Sequence, residues 1–74
     1  MPKESEKEKM IKLHLNSLVY YLVKEKKLPY TVAMATVLGS QTYRQLTESK
    51  MYLNQSRIYI LDDFKAELAG HLLF

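Results

Sequence analysis

"ATVLGSQTYRQL", residues 35–46, has the outline of one helix, a turn and the start of a second helix. Gly39 stands where a residue in the left-handed conformation would close the first helix. Ser40 follows, where a serine hydroxyl can accept a hydrogen bond from a free N–H of the next helix. The stretch therefore predicts two short helices, over about residues 31–38 and 41–49, joined by a turn that folds the chain back.

The two predicted short helices differ in how much of their surface is apolar. The earlier one is apolar around its whole circumference, so we expect it to be buried on most sides. Its apolar residues are Val32, Ala33, Met34, Ala35, Val37 and Leu38. The later one has Tyr43 and Leu46 as its strong apolar side chains. It is expected to show Gln41, Arg44, Gln45 and Glu48 to water.

A long helix is predicted before this pair, over about residues 4–26. Four apolar residues recur at spacings of four, three and four, which places them on one stripe of a helix. They are Ile11, Leu15, Leu18 and Leu22. Pro29 ends this helix, because the residue before a proline avoids the helical conformation. Lysines 24, 26 and 27 lie where positive charge is favourable, near the carboxyl end of the helix dipole.

A last helix is predicted over residues 57–69, after the non-periodic connector "KMYLNQ" at residues 50–55. Ser56 can cap it and Gly70 is expected to end it. Its core face would consist of Ile60, Leu61, Phe64 and Leu68, with Asp62, Asp63 and Glu67 mostly outside. The sequence thus predicts an all-α fold, a small four-helix bundle with a long first helix and two short middle helices. Residues 1–74 form a single helical domain in this prediction, with residues 1–6 frayed.

Composition limits how such a domain is stabilised and where it works. A chain of 74 residues buries only about 60% of its unfolded surface, and without cysteine it has neither disulfides nor thiolate metal sites. Tight helix packing or a partner chain must compensate. The net charge of +3 arises mostly in residues 1–27, where glutamates separate the lysines as on a solvated helix. With no signal-peptide pattern and no apolar run of about 18 residues, we expect a cytoplasmic protein without membrane contact.

The long helix has a second apolar side, which is the strongest functional signal in the sequence. Leu13 and Tyr20 lie seven residues apart, almost opposite the main stripe, and Val23 lies beside them. Either this helix packs neighbours on two sides, or the second side contacts another copy of the chain or another protein. Tyrosines at the surface suit such a contact, and Tyr20, Tyr30, Tyr52 and Tyr59 are expected there. We predict an interaction surface of Leu13, Tyr20, Val23 and Tyr59 for a protein partner or a homodimer.

Nucleic-acid binding is the alternative prediction. Ala35, Gly39 and a polar second helix fit the sketch of a helix-turn-helix regulator, in which Gln41, Thr42, Arg44 and Gln45 would contact DNA. The register disagrees with that motif, since it puts Ser40 and Gln45 where apolar residues are wanted. An ordinary corner between two helices explains the same residues.

Metal binding and catalysis are the weaker hypotheses. Asp63, Glu67 and His71 follow one another at intervals of four, a spacing that can hold a divalent cation. Gly70 is expected to end the helix before His71, so we predict neither a metal nor another cofactor. There is no cysteine nucleophile or glycine-rich phosphate loop, and His14 borders the apolar stripe as a partly buried packing residue. The chain is therefore predicted not to be an enzyme.

Three elements in the later part of the chain follow a shared pattern. Ser40, Tyr43 and Leu46 open one short helix, and Tyr52 and Leu53 form a connector. A capped helix then carries Ser56, Tyr59, Ile60, Asp62, Glu67 and Leu68. From Leu28 to Leu68 this string resembles short uncharacterised bacterial proteins of the domain-of-unknown-function type. Such proteins are often encoded in accessory gene clusters, some near toxin-like genes, so the resemblance implies a binding or neutralising role and no catalytic residue.

Overall fold

The computed structural model describes residues 5–72, with side chains described over residues 5–70. Five helices follow one another along the chain: α1 (Glu6–Glu25), α2 (Tyr30–Leu38), α3 (Gln41–Glu48), α4 (Lys50–Leu53) and α5 (Arg57–Leu72). No strand occurs within the described residues, which confirms the predicted all-α fold with its long first helix. The described part measures 41 × 25 × 19 Å, and α1 accounts for about 30 Å of its length at 1.5 Å per residue.

Serine hydroxyls cap the N-termini of four of these helices. The cap of α3 is Ser40, whose Oγ accepts the Tyr43 N–H at 3.1 Å, as the sequence predicts. Ser56 caps α5 in the same way, accepting from Tyr59 at 3.1 Å. Ser5 and Ser49 cap α1 and α4. The expectation that residues 1–6 fray falls mostly on residues 1–4, which lie outside the described residues.

Gly39 closes α2 as predicted, but the left-handed conformation predicted for it and the predicted role of Gly70 are wrong. Gly39 follows α2 with φ of −90°, so the turn needs no left-handed residue there, because Ser40 continues in an extended conformation. The left-handed residue is Lys27, with φ of 59°, at the turn between α1 and α2. Gly70 does not end α5, which continues to Leu72. A glycine inside a helix costs about 1 kcal/mol relative to alanine, and that cost does not break the helix.

The connector predicted to be irregular contains α4, a single helical turn. A four-residue helix is too short to show apolar periodicity, so the pattern missed it. Leu53 at its end is buried, and the Leu53 carbonyl accepts a hydrogen bond from Nε2 of His14 on α1 at 3.2 Å. The bundle thereby has a fifth helix held against the first.

One apolar core joins the helices. It consists of Leu18, Val19, Leu22, Ala33, Val37, Leu46, Leu53, Ile60 and Phe64. The ring of Phe64 is met edge-on by the half-buried Tyr21 of α1, with ring centroids 6.4 Å apart. Each predicted core face of α1 and α5 is confirmed by two buried residues, Leu18 and Leu22 on α1 and Ile60 and Phe64 on α5. The other predicted members are half-buried: Ile11, Leu15, Leu61 and Leu68.

The expectation that α2 is buried on most sides is wrong. Ala33 and Val37 are buried, but Val32 and Leu38 are 47% and 48% exposed, and Tyr30 is exposed as well. The described helices in contact with α2 are α1 and α3, which cover one side of it. A chain this small has too few elements to surround a helix, so half of an all-apolar helix stays in water.

Candidate functional site

The beginning of α3 is bound by a carboxylate from the far end of the chain. Oε2 of Glu67 on α5 accepts the Gln41 N–H at 2.8 Å. Oε1 accepts both the N–H and the hydroxyl of Thr42, at 2.9 and 2.8 Å. Free N–H groups and the positive end of the dipole both favour an anion at a helix N-terminus. Glu67 is therefore half-buried and structural, and its predicted place on the outside is wrong.

A second carboxylate of α5 is used in a similar way. Oδ2 of Asp63 accepts the Tyr52 hydroxyl at 2.7 Å, which ties α5 to α4. Burial, and next the hydrogen bond to Asp63, raise the pKa of the Tyr52 phenol well above its ordinary value. Asp63 is half-buried, against the prediction, whereas Asp62 is exposed as predicted. Asp63 and Glu67 therefore hold α5 to α4 and α3 by hydrogen bonds. His71 is the third residue of the metal hypothesis, and its side chain lies outside the described residues.

The residues of the DNA-binding alternative lie on different sides of α3. Thr42 is 3% exposed and is held by Glu67 through its backbone and its side chain. Gln41, Arg44 and Gln45 are exposed, and Arg44 pairs with Glu48 at 3.3 Å. Helix-turn-helix proteins place the N-terminal residues of the second helix against the bases. Here that end of α3 already holds a carboxylate.

An open groove lies between α1 and α5. One wall carries Leu13, Tyr20, Tyr21 and Lys24 of α1, with Lys27 just after it, and the other carries Arg57, Leu61 and Lys65 of α5. We call this surface the α1–α5 groove. Its volume is about 790 Å³. Leu13 and Tyr20 are 68% and 63% exposed, so the second apolar side of α1 is left uncovered by the described helices.

Of the four residues of the predicted interaction surface, two line the α1–α5 groove, and Val23 lies beside Tyr20 in a neighbouring depression. Leu13 and Tyr20 share the α1–α5 groove. Val23 is half-buried and packs against the core, beyond Tyr20. Tyr59 lies on the flank of α5 that faces α4, where its ring meets Tyr52 edge-on with centroids 6.3 Å apart. Val23 and Tyr59 therefore do not line the groove.

The groove carries an excess of positive charge. Its cations are Lys24, Lys27, Arg57 and Lys65, and the carboxylate on its lining is Glu25. Within the described residues none of these four cations makes an ion pair. Nζ of Lys24 lies 6.0 Å from the Tyr20 ring centroid, and Nζ of Lys65 lies 5.1 Å from that of Tyr21. Two of the cations thus rest on aromatic rings.

Sequence reasoning missed the contribution of α5 to this groove. Residues 57–74 have a net negative charge, so the charge count of this segment gives no indication that Arg57 and Lys65 belong to a basic surface. A signal exists in the spacing, because Arg57, Leu61 and Lys65 follow at intervals of four and so share one stripe of a helix. The sequence does not say that this stripe faces α1.

His14 carries an imidazole, a group that can act as an acid or a base, and this side chain is buried. Its Nε2 meets the Leu53 carbonyl, which can only accept, so this nitrogen carries the proton. The imidazole therefore joins α1 to α4, in agreement with the predicted packing role.

Comparison of the chain with models of protein families, with curated proteins and with solved structures gives no match. The resemblance over residues 28–68 therefore stays a prediction. Over the described residues, no helix combines the length and the apolar character needed to cross a bilayer.

Proposed function

We propose that this protein is a non-enzymatic interaction module that binds a partner protein through the α1–α5 groove. The observation that carries the proposal is the exposure of Leu13 and Tyr20 in a concave surface walled by a second helix. Large side chains set in a depression are typical of the residues that dominate binding energy, and tyrosine and arginine are enriched among them. Tyr20 and Arg57 both lie in this groove.

The charge of the groove favours a different protein over a second copy as its occupant. In a two-fold pair of grooves, the four cations of one chain would face the four of the other. Like charges brought together across an interface cost several kcal/mol. Self-association is better served by α2, which has no Asp, Glu, Lys or Arg and exposes Val32 and Leu38.

Regulation through DNA contacts has less support. It would require the beginning of α3 to approach an anionic backbone while the Glu67 carboxylate remains bonded to the N–H groups of Gln41 and Thr42. The cation of α3 that could offset this repulsion, Arg44, is paired with Glu48, so we prefer the protein partner.

Site-specific photocrosslinking in the cells that make the protein tests the proposal. A benzoylphenylalanine replaces Tyr20 in one variant and Met51 in another, since Met51 is exposed and lies outside the groove. The variant at position 20 is expected to give a discrete crosslinked protein that the variant at 51 does not give. Identical products from both positions, or none from position 20, would contradict the proposal.

The double variant Leu13→Glu/Tyr20→Glu provides the matching loss of function. It is expected to keep the helical circular-dichroism spectrum of the parent and to lose binding of the crosslinked protein. Loss of the fold would show that these side chains belong to the core. Light scattering of the unmodified chain over a range of concentrations reports self-association separately, and a dimer that persists in the double variant would point to α2.

A further inference from the structure

From the charges of the α1–α5 groove we infer that its occupant is an acidic segment of the partner protein, with carboxylates interspersed among apolar side chains. This inference rests on the proposed function and adds the chemistry of the partner. Both walls are positive, since Lys24 lies on α1 and Arg57 and Lys65 lie on α5. A segment lying between the walls is therefore met by cations from two sides.

The cations of the groove are available to such a segment. None of the four pairs with a carboxylate among the described residues, and all four side chains are exposed. The ammonium groups of Lys24 and Lys65 rest near tyrosine rings, a contact worth about 0.5–1 kcal/mol at exposed sites. Charge-assisted hydrogen bonds to carboxylates are stronger than neutral ones, and arginine forms them in pairs. An incoming carboxylate can thus recruit these groups without breaking an existing ion pair.

The apolar part of the groove sets the second requirement for the occupant. Leu13 and Leu61 lie on opposite walls, and the rings of Tyr20 and Tyr21 also line the groove, each with one lysine ammonium over it. From Leu13 to Lys24 the groove follows α1 for about 16 Å, the length of about three helical turns. A short amphipathic helix with apolar side chains toward the groove and carboxylates along its flanks matches this surface.

A nucleic acid is the competing polyanion, and the groove suits it less well. Single-stranded nucleic acids stack their bases on open aromatic faces along a basic path. Here lysines lie over the rings of Tyr20 and Tyr21, and the Glu25 carboxylate stands at the edge of the groove. The side chains of Leu13 and Leu61 have neither a charge nor a hydrogen-bond donor with which to bind a phosphate.

Selection from a phage-displayed library of random peptides of about 12 residues, long enough for three helical turns, tests the inference without a known partner. Peptides recovered on the unmodified chain are expected to be enriched in Asp and Glu together with Leu, Ile or aromatic residues. The variant Lys24→Glu/Lys65→Glu is expected to bind the recovered peptides at least 10-fold more weakly. The variant Lys7→Glu/Lys50→Glu makes the same charge change at two exposed lysines outside the groove lining, of which Lys7 lies about 9 Å along α1 before Leu13. It is expected to bind the peptides within about 3-fold of the parent, because exposed charges about a Debye length apart are largely screened.

Several outcomes would overturn the inference. These are enrichment of neutral or basic peptides, no enrichment at all, equal loss in both double variants, or displacement of a selected peptide by oligo-dT at equal concentration. Different outcomes distinguish failure of this inference from failure of the proposed function. If neutral peptides bind and Leu13→Glu/Tyr20→Glu abolishes that binding, the groove is a protein-binding site with the wrong partner chemistry assigned. If position 20 also gives no crosslinked protein in cells, the interaction module itself is wrong.

Discussion

At the beginning of α3 and in the α1–α5 groove, charged side chains of α5 lie against another helix. The two places differ in whether these charges find partners within the chain. At α3, one carboxylate of Glu67 finds three donors within 2.9 Å. In the groove, four cations find no carboxylate among the described residues. The first arrangement is complete within the chain, whereas the second is open. This difference is what separates the structural charges of this protein from the charges that a partner can use.

The largest expected effect comes from removing the bonded carboxylate. Glu67→Ala leaves the first N–H groups of α3 and the buried Thr42 hydroxyl without their acceptor. Hydrogen bonds to charged groups contribute about 1.5–3 kcal/mol each to stability, and loss of a helix cap costs about 0.5–2 kcal/mol. We expect the free energy of unfolding to fall by about 2–3 kcal/mol, measured by urea denaturation followed by circular dichroism. Asp62→Ala, on the exposed side of the same helix, is the control and should change it by less than about 0.5 kcal/mol.

A smaller effect is expected at the second bonded carboxylate, and it depends on pH. Tyr52→Phe removes the hydroxyl that donates to Asp63, which should cost about 1 kcal/mol at neutral pH. The folded-state pKa of this phenol is raised, so its contribution is fully present below the unfolded pKa of 10.0 and is lost as the pH rises above that value. Urea denaturation at a series of pH values should therefore show the difference between parent and variant shrinking above pH 10. A difference that stays constant to higher pH would contradict this assignment.

Lys27 lies at the edge of the groove in a conformation that side chains disfavour. Replacing it by glycine relieves a strain of about 1–2 kcal/mol, part of which is lost again to the greater freedom of glycine in the unfolded chain. We expect Lys27→Gly to raise the free energy of unfolding by about 0.5–1 kcal/mol in the same urea experiment. Lys26→Gly, one residue earlier at a φ of −99°, is the matched control and should give no gain. Equal effects at both positions would mean that Lys27 is not strained.

The smallest effect is expected from the groove itself. Lys24→Ala and Lys65→Ala remove cations that lie 6.0 and 5.1 Å from tyrosine ring centroids, so each should lower stability by about 0.5 kcal/mol, the lower end of the range for exposed contacts of this kind. Thermal unfolding followed by circular dichroism provides the measurement. A loss comparable to that of Glu67→Ala would show that the groove is closed by its own contacts, and the contrast with α3 would disappear.

The parts of the fold that sequence predicts are those set by neighbours along the chain. Ser40 and Ser56 are caps because of the helices that directly follow them, and Leu18 and Leu22 are buried by their spacing. Glu67 could not be assigned in this way, since it bonds Thr42 across 25 residues of chain. The position of Glu67 beside Asp62 and Asp63 on one side of α5 suggested a solvated face. The helix that buries this carboxylate is α3, which lies far away in the sequence.

The same limit applies to the candidate site. Leu13 and Tyr20 were found because a second apolar side is visible within one helix. Val23 was grouped with them by its position on the helix, and it lies beside Tyr20 but packs against the core. Tyr59 was grouped with them on residue type, and it lies on the side of α5 that meets Tyr52. Arg57 and Lys65 were missed because the other wall of the groove that they line is on α1, far away in the sequence. The exposure of α2 was missed for a related reason, since a fully apolar helix predicts burial only where enough neighbours exist.

The bond between Glu67 and α3 also has a consequence for the order of events at the ribosome. Thr42 is translated 25 residues before Glu67, an interval of about 1–5 s at ordinary elongation rates. During that time α3 can pack against α1, α2 and α4, but its first N–H groups lack the Glu67 carboxylate, and an isolated helix of eight residues is marginal in water. A chain that is arrested or terminated before α5 is therefore expected to hold α3 less firmly and to expose Leu46, which is buried in the complete fold, to proteases.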